Sequence, residues 1–67
     1  MVEKVKFLIE HNKLAKEEIW SMLNDLNSIN DSKMSAEDRE ALLISKAELQ
    51  KEYDMRSMFI GELNSLL

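Results

Sequence analysis

Cysteine and proline are absent from these 67 residues, glycine and histidine occur once each, and aromatic residues make up 6%. The missing cysteine excludes disulfides, zinc-thiolate centres and thiol catalysis. The missing proline, together with a lone Gly61, leaves little to interrupt a helix. A single histidine leaves a metal cage without its usual ligands. No apolar run approaches the roughly 20 residues that cross a bilayer, and Met1-Val-Glu-Lys-Val-Lys-Phe-Leu-Ile-Glu10 meets acid too early to read as a signal peptide. The expected location is the cytoplasm, since a chain without cysteine suits a reducing compartment.

What is present is charge of both signs and a large apolar fraction. The net charge is -4, with 13 acidic against 9 basic residues, and lysines are interspersed among the acids. That balance argues against a general nucleic-acid binder, which needs clustered Lys and Arg to neutralise phosphates. It reads as ordinary solubility. Fixing a chain of this size costs on the order of 100 kcal/mol of conformational entropy, and folding alone buries only about 60% of its surface. Cover from outside the chain is therefore expected.

Val5, Leu8, Asn12, Ala15, Ile19, Met22, Leu26 and Ile29 follow one another in steps of three and four, with Ile9 and Leu23 widening the stripe. This pattern predicts a helix over about residues 2–29. The polar stretch Asn27-Ser-Ile-Asn-Asp-Ser-Lys-Met-Ser35 is the one break, with the turn at about 30–35. Ser35-Ala-Glu-Asp38 matches a capping box and opens a second helix over about 36–66. Two long helices joined by a short turn fold back antiparallel. The expected fold class is all-α, a single helical-hairpin domain. Matching lengths about the turn places Met22 near Leu42 and Leu43, Ala15 near Leu49, Asn12 near Tyr53 and Val5 near Ile60. Near the middle, Asn12, Tyr53 and Arg56 would form a polar layer that fixes register, or Arg56 would lie along the edge and pair with Glu52.

The second helix carries two apolar stripes. Leu42, Leu49, Tyr53, Ile60, Leu63 and Leu67 lie along one face, and Leu43, Ile44, Ala47, Met55 and Met58 along roughly the opposite one. A helix of this kind needs two neighbours, and the first helix supplies one. The first helix adds its own surplus in Phe7, Leu14 and Trp20, outside the main stripe. The candidate partner-binding residues are therefore Phe7, Leu14, Trp20, Ile44, Met55 and Met58, covered by a second copy, giving a dimeric four-helix bundle, or by a different protein. Trp20 is either an anchor for a partner protein, because centrally buried aromatics dominate binding energy, or a residue packed within the core of a homodimer. Methionines suit an adaptable surface or core filling. Gly61 marks either a close approach by another backbone or a bulky side chain, or a frayed helix end.

No catalytic, cofactor or metal site is predicted. His11 has no Glu-x-x-His or His-Glu-x-x-His motif around it and reads as a structural or surface residue. Glu17-Glu18 and Glu37-Asp38-x-Glu40 read as solvated or helix-start acids rather than magnesium ligands. Neither a membrane nor a small-molecule substrate is expected as a partner, and nucleic acid is the weaker option. In length and layout alone the chain resembles the repressor-of-primer protein of plasmids. That resemblance implies a helical hairpin that dimerises and binds RNA, with Lys4, Lys6, Lys13 and Lys16 aligned in a dimer as the alternative functional reading. Ser45-Lys-Ala-Glu-Leu-Gln50 does not match the Ser-Gln-Glu-Leu-Asp motif of the helical-hairpin phosphatases that act on sporulation response regulators. The preferred expectation is a non-enzymatic adaptor, inhibitor or chaperone that works through apolar helix faces.

Overall fold

The polar run that begins at Asn27 ends the first helix. In the computed structural model, which describes residues 1–67, α1 spans Val2–Asn27 and α2 spans Ala36–Asn64, packed against each other as an antiparallel hairpin. α1 stops at Asn27 rather than at about residue 29, because short polar side chains there bond to nearby backbone and compete with the helix. Ser28 Oγ donates to the Asp25 carbonyl at 2.7 Å, and Asn30 Oδ1 accepts from the Ser32 amide at 3.1 Å. Ile29 thus leaves the helix, half of its surface in water. α2 begins as its capping sequence requires, with Ser35 Oγ accepting from the Asp38 amide at 3.1 Å and Glu37 and Asp38 in the first turn. It ends at Asn64 rather than about 66, where Ser65 Oγ donates to the Glu62 carbonyl at 2.6 Å.

The contact line between the helices is a strict heptad seam. On α1 it runs through Val5, Ile9, Asn12, Lys16, Ile19, Leu23 and Leu26, and on α2 through Leu42, Lys46, Leu49, Tyr53, Arg56, Ile60 and Leu63. Each list advances by alternating fours and threes, and every member is buried or half-buried. This corrects the expected stripe: Leu8 and Met22, read as seam residues, lie on its flank at 44% and 45% exposure, while Ile9 and Leu23 take the central positions.

Asn12 and Arg56 fix the register. The Arg56 guanidinium donates from Nη1 to Asn12 Oδ1 at 2.9 Å and reaches Glu52 with Nη2 at 3.6 Å, so the polar layer and the edge pairing coexist. Asn12 is only 7% exposed, and its Nδ2 donates to the Leu8 carbonyl at 2.8 Å, which leaves neither end of the amide idle. Lys16 Nζ stands 4.7 Å above the Tyr53 ring. These contacts set Asn12 level with Arg56, a turn beyond the expected Tyr53. Carried along the seam, they set Val5 level with Leu63 and Ile19 with Leu49. The shift has a physical source. The connection, residues 28–35, is longer than a tight turn and climbs beside the first turn of α2, where Arg39 Nε donates to the Asp31 carbonyl at 3.2 Å.

A stable hydrogen bond to a charged group contributes about 1.5–3 kcal/mol when its loss orphans a buried atom. Arg56→Leu leaves Asn12 Oδ1 without its donor and is expected to lower stability by about 1–2 kcal/mol in urea unfolding at fixed protein concentration. Adding Asn12→Leu should restore most of that loss. Gly61 has nothing within 4 Å of the place a Cβ would occupy. Gly61→Ala is accordingly expected to raise stability by about 0.5–1 kcal/mol in the same assay; a decrease would mean that another chain occupies that spot.

Candidate interaction surfaces

Two helices lying side by side leave this chain mostly wet. Of its 67 residues 6 are buried, and no side chain is fully sealed from solvent. The accessible surface is 5338 Å², against about 4,400 Å² for a compact folded monomer of 7.8 kDa. The Cα radius of gyration is 15.7 Å where about 11 Å would be compact, within a rod of 52 × 14 × 11 Å. Fifteen large apolar side chains stand exposed, because α1 and α2 both carry more apolar columns than one seam absorbs.

The six residues singled out in the sequence are all exposed, and they fall into three patches rather than one. Phe7 (70% exposed) and Leu14 (60%) project from the side of α1 turned away from α2, with the His11 ring stacked on Phe7 at 6.4 Å. Ile44, Met55 and Met58 lie on the outer side of α2, where Met55 and Met58 join Ala47, Gln50, Lys51 and Asp54 around a shallow groove. Trp20 belongs to neither patch. It flanks the seam, its ring tilted at 42° against Tyr53 with centroids 5.7 Å apart, and with Lys13, Lys16 and Glu17 it borders an open cleft of about 380 Å³.

A fourth apolar region escaped the sequence reading. On the edge opposite Trp20, Leu8 meets Phe59, Leu63 and Leu66 around a depression of about 500 Å³ at the open end of the hairpin, and Ala15 and Met22 continue its line along α1. The available signal was the seven-residue spacing of Leu8, Ala15 and Met22, which had been absorbed into the seam.

No three His, Cys, Asp or Glu side chains stand close enough to hold a metal ion, and no helix is long and apolar enough to cross a membrane. The lysines of the alternative reading divide between two sides of α1, with Lys6, Lys13 and Lys16 on the Trp20 side and Lys4 on the opposite flank. At 100° per residue Lys4 and Lys6 lie on opposite flanks of α1, Lys13 pairs with Glu10 at 3.6 Å, and Lys16 is drawn into the seam over Tyr53. Comparison of the chain with known protein families, curated proteins and solved structures yields no match.

The patches differ in what they contribute to the hairpin itself. Trp20→Ala removes a cross-helix aromatic contact and is expected to lower hairpin stability by about 0.5–1.5 kcal/mol in denaturant titration. Leu14→Ala, at a site that touches nothing across the seam, should stay within about 0.5 kcal/mol of wild type. Equal losses would place Leu14 against another chain.

Proposed function

We propose that this protein is a non-enzymatic interaction module, a small adaptor, inhibitor or chaperone of the cytoplasm, that works by burying apolar helix faces against protein. Its partner is a second copy, giving a four-helix bundle, a separate target protein, or both in turn. The observation that carries this reading is the surplus of roughly 1,000 Å² of surface over a compact monomer, set beside the roughly 800 Å² that each partner contributes to a standard interface. Monomeric proteins rarely leave large contiguous apolar patches in water, and here several apolar columns stand exposed. Phe7, Leu14, Trp20, Ile44, Met55 and Met58 are the residues proposed to make the contacts. Flat helix faces with large apolar side chains suit burial of another helix, the mode in which amphipathic helices are recognised.

Sedimentation equilibrium from low to high micromolar concentration, with helicity followed in parallel, tests the reading. A dimer whose helicity falls on dilution is expected if the cover is a second copy, and a poorly helical monomer if the cover is a target. A fully helical monomer that unfolds cooperatively at low micromolar concentration would overturn it, because the faces would then need no cover. With a target protein in hand, Trp20→Ala should weaken its binding by more than about 1 kcal/mol, a loss readable as a shift of the titration curve.

A further inference from the structure

We infer that a second copy of this chain docks along the Leu8, Ala15, Met22 edge of α1, antiparallel to its counterpart, with the two-fold axis passing close to Ala15. This assignment rests on the interaction-module reading and adds to it the face, the direction and the centre of the contact. Two observations carry it: the shape of that edge and the order of charge beside it.

Leu8 and Met22 stand equally far on either side of Ala15 along one column of α1, each just under half exposed. An antiparallel copy centred on Ala15 therefore sets Leu8 against Met22 of the partner subunit at both ends, and a methyl-sized side chain at the centre lets the helix axes come close. The neighbouring column reads Lys4, His11, Glu18, Asp25, with its one lysine at the start and its two acids in the second half, all four exposed. The same two-fold operation lays Lys4 beside Asp25 of the partner subunit, and His11 beside its Glu18. In a parallel two-fold pair this column would face the opposite flank of the partner subunit, and the Lys4–Asp25 pairing would be lost. The edge is self-complementary in size and in sign, which an isologous interface requires.

Leu8 also connects this column to Phe59 and Leu66 at the open end of the hairpin. In the antiparallel pair that end of each copy lies over the Met22 end of the other, so the apolar surface of both helices is enclosed together. Phe7, Leu14 and the Met55–Met58 groove stay on the outside. Self-association and target capture are thus assigned to different faces, and a dimer remains able to bind.

The chain has no cysteine of its own, so a single introduced thiol reports its neighbour without ambiguity. Ala15→Cys in the full chain is expected to give a disulfide-linked dimer under mild oxidation, whereas Leu14→Cys, one residue away but turned outward, stays largely unlinked. A second measurement does not depend on cysteine geometry. Lys4→Glu and Asp25→Lys should each weaken the dimer about fivefold at low salt, and the double variant should return towards wild type. Each single change suits the dipole of α1 itself, so a weaker dimer would not reflect a weaker helix. A wild-type dimer with no preference for Ala15→Cys over Leu14→Cys, and no recovery in the double charge variant, overturns this edge but leaves the interaction module standing. A poorly helical monomer does the same, whereas a fully helical monomer removes both.

Discussion

Each helix of a two-helix hairpin has a single neighbour, and that constraint governs the rest of this structure. A seam between two cylinders dries one stripe on each, and here even that stripe is shared with polar residues, since Asn12, Lys16, Lys46 and Arg56 occupy seam positions alongside the aliphatic ones. The core that remains is five apolar side chains, Val5, Ile9, Ile19, Leu23 and Leu42. Small domains are marginal because so little of their surface leaves water, and a rod is the least economical shape for the purpose. The exposed apolar columns then form the surface on which any further stabilisation would act.

The seam polarity is organised. Asn12 and Arg56 satisfy each other across the helices, and the Lys16 ammonium group lies over the face of the Tyr53 ring. A polar pair in an apolar seam costs stability and rejects alternative registers, because sliding by one turn would bury the amide without its guanidinium. Placing Lys16, Lys46 and Arg56 inward also leaves the outer surface more acidic than the composition suggests, as all 13 carboxylates stay exposed. A polyanion approaching the rod would meet mostly carboxylates, consistent with contacts through apolar faces.

Several features were legible in the sequence because they are local. The capping box at Ser35 and the polar break after Leu26 each draw on a few adjacent residues, and the hairpin follows from two long helices with a short connection. The register was not legible. It depends on how the residues 28–35 climb beside α2, and that path rests on the Arg39 contact to Asp31, which no periodicity encodes. The same gap explains why Leu8 and Met22 were read as seam residues. Periods of 3.5 and 3.6 are hard to separate on a helix whose apolar arc is wide, and the choice between adjacent columns falls to the partner helix. The candidate residues were recognisable as surplus, but their division into separate patches was not, because it depends on where the seam lies.

Trp20 and Tyr53 are the only tryptophan and the only tyrosine in the chain, and they face each other from different helices with ring centroids 5.7 Å apart. That spacing makes them a built-in donor and acceptor of electronic excitation. Light absorbed by the tyrosine passes to the indole while the hairpin is closed and returns as phenol emission once the helices part. The protein therefore carries an optical gauge of its own closure, located midway along the seam and requiring no label.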